Sequence, residues 1–173
     1  MNLDEAYANA AYIPGGEEYP ARWLAAAHAF RDGSTGELDL RYGERPRMVF
    51  DLFHPGRLAK GLVVFVHGGY WMEGDKSYWS HLAAGPLAQG WAVAMPSYDL
   101  CPDVRISDIT LQIETAIACA AARVPGPIRL AGHSAGGHLV ARMACADLSP
   151  HWRNRVEQIV PISPVAELGP LMQ

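Results

Sequence analysis

Continuous apolar runs alternate with helical patterns over most of the chain. Four runs are short and mostly apolar, as in buried strands: Leu62–His67, Trp91–Met95, Ile128–Ala131 and Val156–Ile162. The segments between them have helical spacing: Ser77–Gln89, Ser107–Arg123 and Gly137–Ala146. This alternation predicts an α/β fold with an open, mostly parallel sheet and helices on both faces.

The first third of the chain has a different pattern. Residues 1–33 predict an N-terminal arm with two short helices, Leu3–Ala11 and Arg22–Arg31. Two further segments, Leu38–Tyr42 and Met48–Phe53, predict strands that pair as a hairpin. We expect residues 1–173 to form a single domain that includes this arm.

Local signals refine two of the helices. Ser107 is expected to cap the helix that ends before Pro125 and Gly126, because a serine hydroxyl satisfies free N–H groups at a helix start. The Gly85-Pro86 pair is expected to interrupt the helix Ser77–Gln89.

Composition excludes several classes of protein. The 173 residues are 50% hydrophobic and carry a net charge of −4, with no basic cluster of the kind that binds nucleic acid. The three cysteines lack C-x-x-C spacing, and no apolar run is long enough for a membrane span. The N-terminus resembles no signal peptide, so the expected location is cytoplasmic.

The sequence Gly132-His133-Ser134-Ala135-Gly136 stands between a predicted strand and a predicted helix. A G-x-S-x-G sequence in that context is a nucleophile elbow, a turn that exposes the serine hydroxyl beside a helix N-terminus. The alternative is a glycine-rich turn whose serine only caps the helix. The functional interpretation of Ser134 is favoured by a second motif upstream.

That second motif is His67-Gly68-Gly69, which follows the strand starting at Leu62. Because the carboxyl ends of parallel strands share one edge, this motif and the elbow are expected at the same rim. There, the N–H groups of Ala135 and of Gly68 or Gly69 would form an oxyanion hole. The alternative for the two glycines is an ordinary turn.

Aromatic and histidine side chains flank these motifs. Two roles are open for Tyr70 and Trp71: packing in the core or in a lid, or an aromatic wall that contacts the substrate. His67 is expected to hold its loop by hydrogen bonds rather than to act as a base, and His138 to be a packing residue. The histidine spacing suggests no metal site.

An activating acid and base are not apparent. In this fold they follow the serine in the order carboxylate, then histidine. Asp147 and His151 come 13 and 17 positions later, and a continuous helix would place Asp147 about 20 Å from Ser134. The strand Val156–Ile162 would also be an uncovered edge. The chain therefore reads as a hydrolase whose last strands, acid and base are missing.

The sequence resembles the kynurenine formamidase (arylformamidase) branch of the α/β-hydrolases. The resemblance rests on His67-Gly68-Gly69-Tyr70-Trp71, Asp75-Lys76, and the elbow continued through Gly137-His138-Leu139, with weaker likeness in the N-terminal arm and near Ile162-Ser163-Pro164. It implies hydrolysis of N-formyl-kynurenine to kynurenine and formate through an acyl-enzyme, without a cofactor. It places the nucleophile at Ser134 and the oxyanion hole at the H-G-G sequence.

Two other functions stay open. One is a general carboxylesterase of the H-G-G type, which a substrate panel would distinguish. The other is an inactive hydrolase fragment that associates with itself or with a partner chain through the edge Val156–Ile162. In the enzyme interpretations the partner is a small-molecule substrate.

Overall fold

The computed structural model describes residue 5 and residues 8–169. Within them, six strands form one sheet in the order β1-β2-β4-β3-β5-β6. The strands are β1 (Gly36–Arg41), β2 (Val49–Phe53), β3 (Leu62–Val66), β4 (Ala92–Pro96), β5 (Ile128–His133) and β6 (Val156–Ile162). The four helices are α1 (Tyr19–Gly33), α2 (Ala84–Ala88), α3 (Ile106–Arg123) and α4 (Ala135–Arg142), and several 3-10 turns connect these elements.

The sheet is mixed, and its central part is parallel as predicted. Strands β4, β3, β5 and β6 run parallel to one another. The hairpin β1–β2 is also confirmed, and β2 joins β4 in the antiparallel direction. The start of β2 therefore lies at the carboxyl ends of the parallel strands, since Phe50 pairs with Pro96. We call this edge of the sheet the rim.

Each face of the sheet has its own apolar core. The larger core packs β3, β4 and β5 against α3 and α4, with Ile109, Ile113 and Leu139 fully buried. The smaller core lies on the opposite face, where Phe30 of α1 meets Phe53 edge-on with ring centroids 5.2 Å apart. Helices on both faces confirm the predicted α/β architecture.

Several predicted helix boundaries were wrong. Ser107 does not cap α3, because the helix begins at Ile106 and the Asp108 carboxylate accepts a hydrogen bond from the Arg105 N–H at 2.9 Å. Gly85 and Pro86 do not interrupt a helix. They lie inside the short α2, whose first turn needs no proline N–H.

One further helix is shorter than predicted. The helix predicted after the elbow ends at Arg142 rather than Ala146. The helix predicted for Leu3–Ala11 lies partly outside the described residues; of its described positions, Glu5 is helical and a 3-10 turn covers Asn9–Tyr12.

Strand β6 lies at one edge of the described sheet. Its bounds match the prediction, and it pairs with β5 on one side only. Val160 and Ile162 are 39% and 44% exposed. The described residues therefore leave an apolar strand edge open beside the elbow strand.

Candidate active site

Ser134 lies between β5 and α4 in a strained backbone conformation. Its φ of 55° and ψ of −118° belong to a region that non-glycine residues rarely occupy. Three backbone hydrogen bonds hold it there: its N–H donates to the Ile162 carbonyl at 2.9 Å, and its carbonyl accepts from His138 and Val165. The strain places a half-buried serine at the rim, as a nucleophile elbow does.

The elbow glycines allow backbone segments to approach each other closely. A Cβ atom on Gly136 would lie 2.1 Å from the Val66 carbonyl oxygen and 2.4 Å from that of His67. A Cβ on Gly132 would lie 2.3 Å from the Gly136 carbonyl oxygen. No side chain fits at either position, so α4 begins in direct contact with the end of β3.

The H-G-G loop (His67–Gly74) follows β3 and lies against the elbow. The position of a Cβ on Gly68 is 3.0 Å from the Ser134 Cβ and 2.8 Å from the His133 carbonyl oxygen. The structure thus brings the two predicted motifs into contact.

The predicted oxyanion donors lie at this junction. Ala135 is the first residue of α4, where an N–H group has no acceptor within its own helix. Gly68 and Gly69 follow β3, and Gly68 lies against Ser134. Their role as oxyanion donors stays a prediction, and the contact between the loop and the elbow is the geometry that it requires.

Tyr70 and Trp71 differ in their accessibility. Both have left-handed backbone, with φ of 49° and 59°. The Tyr70 side chain is half-buried, whereas the Trp71 indole is 3% exposed and meets His138 edge-on with ring centroids 5.3 Å apart. Substrate contact by either residue stays a prediction, and for Trp71 it would require movement of the loop.

His67 is buried at the start of the loop. Its Nδ1 lies 2.7 Å from the Gly68 carbonyl oxygen, and its ring stacks on Tyr98 with centroids 4.3 Å apart. Burial lowers the pKa of His67 to about 4, so the ring is neutral at pH 7. Because a neutral ring that bonds to Gly68 shapes the loop, these contacts match the holding role expected for His67.

The other histidines near the elbow contact groups other than the serine hydroxyl. Among the described residues, no histidine forms a hydrogen bond with the Ser134 hydroxyl. His138 Nδ1 lies 3.2 Å from the Val165 carbonyl oxygen, and burial lowers the pKa of both His133 and His138. Asp147 is exposed and is paired with Arg142 at 2.6 Å, and His151 is exposed.

One histidine–carboxylate pair was not predicted. His54 Nε2 lies 3.0 Å from Glu37 Oε1. His54 follows Phe53, which pairs with Val93 near the start of β4. This pair therefore lies at the opposite end of the sheet from Ser134 and cannot serve it as base and acid.

Two general features concern the described residues. Over residues 5 and 8–169, no cluster of three or more histidine, cysteine or acidic side chains has the geometry of a metal site. Within the same residues, no helix combines the length and the apolar character that crossing a membrane requires.

The fold and the elbow together define an α/β-hydrolase. Residues 50–164 match the family described as BD-FAE, and the chain belongs to that family. A crystal structure of a protein from Silicibacter sp. TM1040, assigned as a thioesterase, is 58% identical with a TM-score of 0.96. It aligns with 99% of this chain, which covers 67% of that protein.

Curated relatives are more distant. The kynurenine formamidase of Drosophila melanogaster is 38% identical over 111 residues, which are 60% of this chain and 36% of that protein. Esterase LipC of Mycobacterium tuberculosis is 32% identical over 123 residues, 65% of this chain and 30% of LipC. The chain therefore spans about a third of the length of these relatives, and they include both formamidases and esterases.

Proposed function

We propose that Ser134 is the nucleophile of a serine hydrolase that cleaves a carboxylic amide or ester through an acyl-enzyme. The observation that carries this proposal is the strained Ser134 backbone in contact with Gly68. A purely structural serine would not need a conformation that costs about 1–3 kcal/mol. The relatives named above support the same reaction class.

The proposed reaction has four steps. The Ser134 oxygen attacks the carbonyl carbon and loses its proton to a base. The carbonyl oxygen becomes an oxyanion that accepts N–H bonds from Ala135 and from Gly68 or Gly69. The leaving amine or alcohol takes the proton as its bond to carbon breaks. Water then attacks the acyl-enzyme, which releases the acid and restores the serine.

The proposal requires a histidine and a carboxylate beside Ser134. None of the described residues supplies a histidine that bonds to the serine hydroxyl. We therefore propose that both groups come from outside residues 1–173, either from the same polypeptide or from a partner chain. On this account the 173-residue chain alone hydrolyses substrates slowly or not at all.

For the substrate we propose an aryl formamide, N-formyl-kynurenine. The support is the kynurenine formamidase among the relatives and the half-buried Tyr70 of the H-G-G loop. A formyl group needs little space on the acyl side, which suits a loop that lies directly against Ser134. An aromatic side chain of that loop would stack on the aryl amine.

A general carboxylesterase is the second candidate. It is favoured by LipC and by the protein from Silicibacter, which is assigned as a thioesterase. Thioesters, esters and formamides all pass through the same kind of tetrahedral oxyanion intermediate, so the elbow itself does not distinguish them.

A substrate comparison on the full-length protein tests the proposal. We expect kcat/KM for N-formyl-kynurenine to exceed that for p-nitrophenyl acetate and p-nitrophenyl butyrate, with all three lost in Ser134→Ala. Good ester hydrolysis without cleavage of N-formyl-kynurenine would establish the carboxylesterase instead. Equal activity of Ser134→Ala and the unmodified protein would show that Ser134 is not the nucleophile.

A further inference from the structure

The H-G-G loop has an unusual concentration of left-handed backbone. Gly69, Tyr70 and Trp71 have φ of 114°, 49° and 59° in succession, and Gly74 has φ of 92°. Two of the four carry side chains that disfavour this region. Such a conformation persists only when surrounding contacts determine it.

Contacts within the loop and from its neighbour hold the first part. The N–H groups of Met72 and Glu73 donate to the Gly69 carbonyl at 2.9 and 3.0 Å. The Cys101 N–H donates to the Trp71 carbonyl at 2.8 Å. These bonds shape the turn, but they leave the far end of the loop, near Gly74, to be fixed by another element.

Arg47 fixes that far end. Its Nη2 donates to the Gly74 carbonyl at 2.6 Å, and its Nε donates to the Tyr98 carbonyl at 2.7 Å. Arg47 also lies 3.8 Å from the Asp75 carboxylate. One planar guanidinium therefore ties the loop after β3 to the segment after β4.

The sheet topology explains how Arg47 reaches this place. Strand β2 is antiparallel to β4 and starts at the rim, where Phe50 pairs with Pro96. Arg47 precedes β2 by two residues and thus lies over the rim. The Tyr98 hydroxyl in turn donates to the His67 carbonyl at 2.9 Å, so both ends of the H-G-G loop connect to the same segment.

A second contact from the hairpin supports the residue after Asp75. The buried Lys76 ammonium lies 2.7 Å from Asp51 and 2.8 Å from Asp39. Asp39 has φ of 55° and lies where the register of β1 shifts, and its N–H donates to Asp51 at 3.0 Å. The irregularity in β1 thus brings a second carboxylate to Lys76.

We propose that Arg47 is a positioning residue that holds the H-G-G loop in the conformation required for oxyanion binding. This inference rests on the proposed function, because the loop's catalytic part is to supply N–H donors. Arg47 does not touch the reacting atoms. Its loss would let Gly74 and the preceding left-handed residues relax, which would move the donors away from Ser134.

Three variants of the full-length protein test this proposal. Arg47→Ala removes the hydrogen bonds to the Gly74 and Tyr98 carbonyls. Arg47→Lys retains a single ammonium group as donor. Arg41→Ala is the matched control, because Arg41 is exposed in the same hairpin and, among the described residues, donates only to the Glu44 carbonyl at 2.7 Å. Steady-state kinetics and amide hydrogen exchange would be measured on each.

We expect Arg47→Ala to lower kcat about 30-fold with KM changed less than about twofold, since the lost contact acts on the transition state. Arg47→Lys should recover part of kcat, and Arg41→Ala should match the unmodified protein. Exchange of amides 69–73 should rise about tenfold in Arg47→Ala, while amides 62–66 of β3 stay protected.

The outcomes separate this proposal from the proposed function. Unchanged kcat in Arg47→Ala, or a rise in KM alone, would overturn the positioning role. If the unmodified protein hydrolyses none of the substrates, the proposed function fails, and hydrogen exchange still decides whether Arg47 holds the loop. Unchanged exchange of amides 69–73 in Arg47→Ala would overturn the positioning role of Arg47. An equal loss of protection in β3 would overturn it too.

Discussion

The two loops that meet at Ser134 are both strained, but they are held in different ways. Within the described residues, the elbow is held mainly by backbone, through three hydrogen bonds to Ser134 and glycines that let β3 and α4 touch. The H-G-G loop depends on side chains from a distant hairpin, through Arg47 and the Lys76 ion pairs.

This difference determines how each loop responds to substitution. A turn held by backbone contacts is disrupted when a side-chain atom is added, because the closely packed main-chain segments cannot separate to make space for it. When a loop is held by side chains, the loss of one contact can leave the protein folded and still move the loop's N–H donors out of line with Ser134. The elbow is therefore expected to fail by unfolding, and the H-G-G loop by misplacement.

The largest expected effect is on chemistry. Ser134→Ala in the full-length protein should lower kcat about 10⁴-fold or more while the fold is retained, because the nucleophile is lost and no contact is added. Ser107→Ala is the control, since that serine is exposed and caps no helix. Steady-state kinetics on the preferred substrate would measure both, and a tenfold loss or less in Ser134→Ala would contradict the assignment.

Gly136→Ala should destabilise the protein by about 3 kcal/mol or more, because the added Cβ would overlap the Val66 and His67 carbonyls. Gly85→Ala is the matched control. It lies in α2 with no atom within 4 Å of the added Cβ, so it should leave stability unchanged or raise it by about 0.5–1 kcal/mol. Urea unfolding would measure both, and similar midpoints for the two variants would contradict the backbone-held elbow.

Lys76→Met should cost about 3 kcal/mol, because it leaves the buried Asp51 without its cation. Burial acts to lower the pKa of Lys76, but hydrogen bonds to Asp39 and Asp51 raise it above its ordinary value. Lys60→Met, at an exposed position, provides the control in the same denaturation experiment. Equal stability of the two variants would show that the buried pair does not support the loop.

The smallest expected effect is a pH dependence. Burial lowers the pKa of His67 to about 4 in the folded protein. Near pH 6.5 the unfolded chain therefore binds a proton at this residue that the folded protein does not bind. Stability should be insensitive to this residue above pH 7 and fall by about 2 kcal/mol from pH 7 to pH 5.

His67→Asn tests this effect, because an amide can still donate to the Gly68 carbonyl. The variant should lose His67's part of the slope and keep the part due to His133 and His138, whose pKa values burial also lowers. Unfolding free energies measured between pH 5 and pH 8 would decide, and identical slopes for the two proteins would exclude His67 as a source.

The difference between the elbow and the H-G-G loop also explains which features the sequence could predict. The strands, the hairpin and the elbow follow from local patterns, since each depends on neighbouring residues. The contact of the elbow with the H-G-G sequence follows from the parallel order of their strands. Arg47 could not be found in this way, because its bonds go to main-chain carbonyls at positions 74 and 98 and leave no side-chain signature. Asp39 depends on a register shift in β1 that no residue pattern marks.

Helix ends were predicted least well, for a physical reason. At the start of α3 a carboxylate three residues inside the helix replaces the expected serine cap, and both are common solutions to the same unsatisfied N–H groups. The early end of α4 allows Arg142 to reach Asp147, an ion pair that a continuous helix would have placed differently.

Covalent labelling of the full-length protein by a fluorophosphonate, followed by peptide mass spectrometry, tests the central claim most directly. The account predicts one adduct, on the peptide that contains Ser134, and none in Ser134→Ala. An adduct on a different residue, or ester hydrolysis by a protein that leaves Ser134 unlabelled, would contradict it.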